Sequence, residues 1–220
     1  MNQLETPLLD ALLTYVNNET IPFHVPGHKK GLGMDKQFRD FIGLNAMKID
    51  VTVFEQVDSL HHPSGPIAAA QALAAEAFHA DHTFFGVHGT SGAIQAMILS
   101  VLREGEKVII PRNVHKSVSA GLALSGVVPV YVQPELDPFT GTALNVTPET
   151  IQKALEKYPE AKAVLVINPT YYGVAADLKA IVKVVHDHGV PLMVDEAHGP
   201  HLCFHEALPI SAMEAGADMC

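Results

Sequence analysis

Short apolar runs that alternate with helical segments constrain the fold of this chain more than any other feature of its sequence. After residue 66, such runs lie at residues 83–87, 107–110, 127–132, 163–167 and 191–194. Apolar residues recur at helical spacing over residues 67–79, 92–104, 115–125, 147–158 and 176–188. Uninterrupted apolar strands in alternation with helices predict an α/β fold, with a mainly parallel sheet flanked by helices. Ligands of such sheets bind at the carboxyl ends of the strands, so the residues that follow each run are candidates for chemistry.

The amino-acid composition excludes several classes of protein and of binding partner. The chain has 220 residues, 48% hydrophobic and 17% charged, which excludes disordered and low-complexity classes. Its 14 basic and 24 acidic residues give a net charge of −10 without a basic cluster, so no nucleic-acid partner is expected. Cys203 and Cys220 are too few for a disulfide framework, which favours the reducing cytoplasm. Residues 1–16 contain no basic stretch, and no long apolar run occurs, so neither a signal peptide nor a membrane span is predicted.

The first 65 residues differ from the rest in pattern. A helix is predicted from Thr6 and Pro7, with the threonine hydroxyl as its cap and the proline at its first position. Residues 21–64 are interrupted by Gly, Pro and His and are expected to lie on a surface or to line a site. We therefore predict a helix and site-lining segment over residues 1–65 and the sheet domain over residues 66–220.

Residues 88–93 (HGTSGA) follow the first apolar run and lead into a helix. Small residues let the backbone approach a ligand, and the N–H groups at a helix N-terminus favour an anion, so a phosphate fits here beside the hydroxyls of Thr90 and Ser91. The alternative is that Thr90 or Ser91 merely caps the helix. The segment matches neither a Walker P-loop nor the GxGxxG fingerprint.

Asp195 ends the last apolar run, where an unpaired carboxylate is costly. A cationic partner is therefore expected, either the protonated nitrogen of a heterocyclic ligand or the side chain of His198. His115 follows the run at residues 107–110 and either caps a helix or presents its ring to a ligand. Residues 168–173 (NPTYYG) either offer polar side chains at the same edge or form a simple turn.

A cluster of His, Cys and Glu residues between positions 198 and 206 invites a metal interpretation. Its members are His198, His201, Cys203, His205 and Glu206. Their spacing matches neither a zinc finger nor HExxH, and alternate residues of an extended segment face opposite ways. No metal site is predicted.

Taken in order, the motifs of this chain resemble those of the Orn/Lys/Arg decarboxylase family, pyridoxal-phosphate enzymes of the aspartate-aminotransferase fold (fold type I). The similarity is greatest to the shorter, Bacillus-type arginine decarboxylases of polyamine synthesis. It rests on six motifs in family order: PFHVPGHKKG, DSLHHPSGPI, HGTSGA, IIPRNVHKS, INPTYYG and VDEAHG. Each motif is weak alone, but six in sequence are specific.

The resemblance implies a role for each candidate residue. Thr90 and Ser91 would hold the phosphate of pyridoxal 5'-phosphate, and His115 would stack on its pyridine ring. Asp195 would bond the pyridinium nitrogen, and His198 would lie near the phenolic oxygen. Asp195, His115 and His198 are thus the expected catalytic residues.

The resemblance also implies an activity. The expected reaction is decarboxylation of L-arginine to agmatine and CO2 through a pyridoxal-phosphate imine, with lysine or ornithine as the alternative substrate. The segment at residues 24–30 would shape the substrate side of the site. The complete protein is expected to be a homo-oligomer of the cytoplasm, with a small amino acid as its substrate and no nucleic-acid or membrane partner.

One departure from the family pattern concerns the Schiff-base lysine. In the family this lysine lies in a Ser-x-His-Lys segment shortly after Gly-Ala-Asp, and this sequence stops at residues 216–220 (GADMC). Lys116 is not that lysine, because it starts a helix directly after His115. We expect an N-terminal part of a longer protein with a truncated large domain, inactive alone. The alternatives are an inert remnant or interaction module, and a zinc hydrolase built on the cluster at positions 198–206.

Overall fold

A parallel sheet lies at the centre of residues 86–220 in the computed structural model, which describes residues 1–18 and 20–220. Its strands are β1 (Lys107–Pro111), β2 (Val128–Val132), β3 (Ala161–Ile167) and β4 (Leu192–Asp195). Their order is β2-β1-β3-β4, and every neighbouring pair is parallel. The α/β fold with a mainly parallel sheet is therefore confirmed.

Helices surround this sheet and also make up most of the regular structure in residues 1–85, the other compact unit. In chain order they are α1 (Pro7–Asn17), α2 (Lys36–Ile42), α3 (Leu44–Ile49), α4 (Pro66–Ala77), α5 (Gly89–Val101), α6 (Lys116–Ser125), α7 (Pro148–Lys157), α8 (Leu178–Asp187) and α9 (Ala212–Ala215). A 3₁₀ helix spans Leu202–Phe204. Among the described residues, no helix is both long enough and apolar enough to cross a bilayer.

The two faces of the sheet bury different sets of side chains, because alternate strand residues point to opposite sides. One face packs against α5 and α6 and contributes Val108, Ile110, Ala163, Leu165 and Met193. The other face packs against α7 and α8 and contributes Ile109, Val164, Val166, Leu192 and Val194. Both faces are covered around β1, β3 and β4, which is why these strands read as apolar runs, whereas Val128 and Tyr131 of the outer strand β2 are exposed.

The unit at residues 1–85 is organised around α1 and α4, which pack against each other. Pro occupies the first turn of each of these helices. The carboxylate of Asp58 accepts backbone N–H groups from Ser59, Ser64 and Gly65 and from the first turn of α4. These hydrogen bonds lower the pKa of Asp58 to about 2. The predicted division at residue 65 stays a prediction.

Two local expectations are wrong. Residues 83–87 do not form a strand, and the side chains of Phe84 and Val87 are 85% and 76% exposed. A strand needs a neighbouring backbone to pair with, and within the described residues no ladder reaches this segment. Thr6 precedes α1, yet its hydroxyl bonds Asp10 Oδ1 at 3.1 Å instead of capping the helix backbone.

Candidate active site

Asp195 is a buried carboxylate at the carboxyl edge of the sheet. It is the last residue of β4 and is 4% exposed. Because strand residues alternate, it shares the face of Met193, the face that α5 and α6 cover. Its Oδ1 accepts a hydrogen bond from the N–H of Ala197 at 3.2 Å. This places a negative group at the strand end on the α5 and α6 side.

His115 is the N-cap of α6, as one of the two sequence interpretations proposed. Its Nδ1 accepts a hydrogen bond from the N–H of Ser117 at 3.2 Å and lies 2.8 Å from the Ser117 hydroxyl. The residue is nevertheless exposed. Capping therefore fixes the imidazole and leaves it accessible, so the two interpretations do not exclude each other.

Thr90 and Ser91 lie in the first turn of α5. The helix begins at Gly89 and His88 occupies its N-cap position, so the alternative that Thr90 or Ser91 caps the helix is wrong. Both side chains are exposed. The backbone N–H groups of a first turn lack acceptors within the helix, so this end of α5 presents donors together with two hydroxyls.

His198 follows β4 and is exposed. Its ring lies 5.8 Å from that of Tyr171 at an interplanar angle of 85°, so the loops after β3 and β4 meet here. Within residues 86–220 no ion pair joins His198 to Asp195; the backbone N–H of Ala197 is the partner seen for that carboxylate. The internal Asp–His pair is therefore not what the structure shows.

The topology brings these side chains to one edge of the sheet. α6 connects the parallel strands β1 and β2, so its first turn lies at the carboxyl end of β1. α5 packs on the same face of the sheet and leads through a short connection to the start of β1, so its first turn faces the same edge. The loop that carries His115 follows β1, and Asp195 ends β4, with β3 between them. Two strand spacings, about 10 Å, separate β1 from β4 at this edge.

Sequence reasoning missed Glu196 and the part that Asn168 plays. Asn168 is fully buried, and its Nδ2 donates to Glu196 Oε1 at 3.2 Å. The same oxygen accepts the N–H of Ala212 at 2.9 Å. Burial raises the pKa of Glu196, while these two hydrogen bonds act in the opposite direction. The sequence did carry one signal for Glu196. Neighbouring residues at a strand end point to opposite faces of the sheet, so the side chains of Asp195 and Glu196 are expected in different surroundings.

The His, Cys and Glu cluster at positions 198–206 does not converge. In the part of the chain that the structure describes, no three metal-ligating side chains come together. Residues 202–204 form the 3₁₀ helix, which spreads the neighbouring side chains around its axis. Burial raises the pKa of Cys203, so its thiol is held in the protonated form.

Comparison with known proteins identifies the family of this chain. Residues 6–220 match the family model described as the major domain of Orn/Lys/Arg decarboxylases. The chain belongs to the Orn/Lys/Arg decarboxylase family. The six motifs therefore predicted the family correctly, and the match spans both compact units.

Individual members of the family show how much of a whole enzyme this chain represents. It is 56% identical to an arginine decarboxylase of Halalkalibacterium halodurans over 99% of its own length and 44% of that protein. It is 55% identical to an arginine decarboxylase of Bacillus subtilis, of which it covers 45%. A solved lysine decarboxylase of Pseudomonas aeruginosa matches with a TM-score of 0.81 at 29% identity, over 96% of this chain and 30% of that one. The chain thus spans less than half the length of these relatives.

Proposed function

We propose that this chain forms the cofactor-binding face of a pyridoxal-phosphate decarboxylase that converts L-arginine to agmatine and CO2. The observation that carries the proposal is the buried carboxylate of Asp195, on the sheet face that also presents His115 and the start of α5. More than half of the residues are identical to those of proteins named arginine decarboxylase, which supports arginine as the substrate.

The residues at this edge fit the phosphate of the cofactor. Phosphate oxygens need several donors and a favourable electrostatic environment, and the first turn of α5 supplies unpaired N–H groups and the positive end of the helix dipole. Thr90 and Ser91 add two exposed hydroxyls. Gly89 adopts a φ of +60°, a conformation that permits the backbone to turn into the helix there.

The same edge fits the ring. A carboxylate that is 4% exposed is stable when a cation faces it, and a protonated pyridine nitrogen is such a cation. His115 is exposed with its ring orientation fixed by Ser117, as a stacking residue requires. His198 is placed on the loop after β4, and we propose that it lies near the phenolic oxygen.

In the proposed mechanism, each side chain has a physical task. When bound, pyridoxal phosphate supplies an electron sink for the charge left on Cα after CO2 departs. Asp195 keeps a proton on the ring nitrogen, because its negative charge favours the cationic form. His115, whose ring is fixed by Ser117, would stack on the pyridine ring and hold its orientation. Thr90 and Ser91 anchor the phosphate and thereby fix the register of the ring.

We further propose that the complete protein is a cytoplasmic homo-oligomer and that residues 1–220 are inactive by themselves. The sequence of these residues contains no Ser-x-His-Lys segment. The family also contains lysine and ornithine decarboxylases, and the structural match is to a lysine decarboxylase, so lysine and ornithine are the competing substrates.

The test is a substrate comparison on the complete protein. Purified protein loaded with pyridoxal phosphate is given arginine, lysine or ornithine, and CO2 and amine products are quantified. We expect agmatine to form with the highest kcat/KM. Faster formation of cadaverine from lysine or of putrescine from ornithine would overturn arginine as the proposed substrate. The absence of product with all three amino acids would overturn the proposed decarboxylase activity. The polypeptide of residues 1–220 serves as the inactive comparison.

A further inference from the structure

Glu196 connects three separate pieces of chain at the carboxyl edge of the sheet. Its Oε1 accepts hydrogen bonds from the side chain of Asn168, which directly follows β3, and from the backbone N–H of Ala212, the first residue of α9. The residue itself directly follows β4. One oxygen atom thus joins the loop after β3, the loop after β4 and helix α9.

The packing around this junction is close. Gly199 is buried, and a Cβ built on it would lie 2.7 Å from Glu196 Cγ, 2.9 Å from Pro169 Cδ and 3.0 Å from the carbonyl oxygen of Asn168. The backbone N–H of Gly199 donates to the carbonyl of Glu196 at 2.8 Å, which closes the loop after β4 into a turn. A side chain at position 199 would force these loops apart.

Glu196 also lies between two of the proposed cofactor residues. Asp195 precedes it on the α5 and α6 face, whereas the contacts of Glu196 are made on the opposite side, where Ala212 packs into the core with α7 and α8. His198 stands two residues later on the same turn. A displacement of Glu196 would therefore be passed along the backbone to Asp195 and His198.

We infer that Glu196 is a positioning residue: its carboxyl oxygen ties the loops after β3 and β4 to α9 and so fixes the segment that carries Asp195 and His198. This inference rests on the proposed function, since the segment in question is the one proposed to face pyridoxal phosphate. The required property is an acceptor at Oε1, not a negative charge. Glutamine can provide that acceptor, whereas methionine, of similar length, offers only the weak acceptor of a thioether.

The experiment uses the complete protein, stripped of cofactor, in the variants Glu196→Met and Glu196→Gln. The dissociation constant of pyridoxal phosphate is measured by absorbance titration, and amide hydrogen exchange is measured for peptides that cover residues 195–199 and 212–215. We expect Glu196→Met to weaken cofactor binding by about tenfold or more and to accelerate exchange in both peptides. Glu196→Gln should bind the cofactor like the parent and should not accelerate exchange in either peptide. Glu206→Met, an exposed change on the following segment, is the matched control.

Two results would overturn the inference: parent-like binding and exchange in Glu196→Met, or an equal loss in Glu196→Gln, which would assign the effect to charge. If circular dichroism shows that Glu196→Met does not fold, Gly199→Ala separates the same junction without removing a polar group and is judged by the same two measurements. If the parent protein fails to bind pyridoxal phosphate, the proposed function fails, while the exchange data still decide whether Glu196 ties the loops together.

Discussion

Two adjacent acids at the end of β4 serve different purposes because a strand sends neighbouring side chains to opposite faces. Asp195 is buried on the face that α5 and α6 cover, and Glu196 bonds Asn168 and Ala212 on the other side. We propose that the first faces a ligand and that the second holds the loops that present it. Sequence spacing alone does not distinguish these two carboxylates, but strand parity does.

For Asp195, the expected consequence of losing the negative charge is a loss of catalysis with the fold intact. Asp195→Asn keeps the shape of the side chain and its acceptor for the Ala197 N–H, so the protein should fold normally. Without the charge, the ring nitrogen is no longer held protonated, and kcat for arginine should fall by about a hundredfold to a thousandfold. Asp187→Asn, an exposed change on α8, is the control. Undiminished agmatine production in Asp195→Asn would contradict the assigned role.

Glu196 predicts a defined pH dependence of stability. Burial raises its pKa, so the folded protein binds the proton more tightly than the unfolded chain does. The stabilisation from the protonated form is fully present below the unfolded-state pKa and is lost as the pH rises through the folded-state pKa. Glutamine does not ionise, so Glu196→Gln does not lose this stabilisation. The free energy of unfolding of Glu196→Gln should therefore exceed that of the parent most at neutral pH, and the difference should shrink on acidification. Urea unfolding from about pH 8 to about pH 4 measures the difference, and an advantage that grows towards acid would refute it.

At the level of elements, residues 83–87 show that local preference does not make a strand. The segment is apolar in sequence, but Phe84 and Val87 remain largely exposed and no described ladder includes it. The opposite case is β3, whose residues 163–166 are fully buried between two neighbouring strands. Pairing, and not composition, separates the two.

This difference predicts a contrast in amide hydrogen exchange. In the polypeptide of residues 1–220, the amides of residues 84–87 should exchange close to the unprotected rate, because their N–H groups have no strand partner. The amides of β3 should exchange only through opening of the sheet and be strongly protected. Exchange followed by mass spectrometry resolves the two peptides, and similar protection in both would show that residues 84–87 pair with a neighbour.

For the whole molecule, the outer strands of the described sheet are where backbone groups are left without a strand partner. β2 is an outer strand of the described sheet, and Val128 donates its N–H inward to the carbonyl of Glu106 at 2.8 Å. The next residue, Pro129, has no N–H to present on the outer side. Proline at such a position limits edge-to-edge pairing.

Removing that protection should promote self-association. Pro129→Thr restores an outward N–H in a segment of high β propensity, so we expect more dimer and larger species in sedimentation velocity at equal concentration. Val128→Thr is the matched control, since its N–H is already bonded within the sheet. Identical sedimentation of the two variants would show that the edge is protected by something other than Pro129.

The sequence by itself determined the fold class, the family and the edge at which the candidate residues lie. Unbroken apolar runs predict strands buried on both faces, and the six motifs appear in family order. Both signals can be read directly from the order of residues along the chain. His115 at a helix start and Asp195 at a strand end were predicted for the same reason.

Only the tertiary structure decided which groups have partners. It showed that His88, and not Thr90 or Ser91, occupies the N-cap position of α5 and that Asp195 bonds a backbone N–H in place of His198. It also showed that residues 83–87 pair with none of the described strands. It also brought Glu196 to Ala212, a contact between residues far apart in the chain. The physical reason is common to all of these. Hydrogen-bond partners and strand neighbours depend on how segments that are distant in sequence pack together, and a local periodic pattern does not specify that packing.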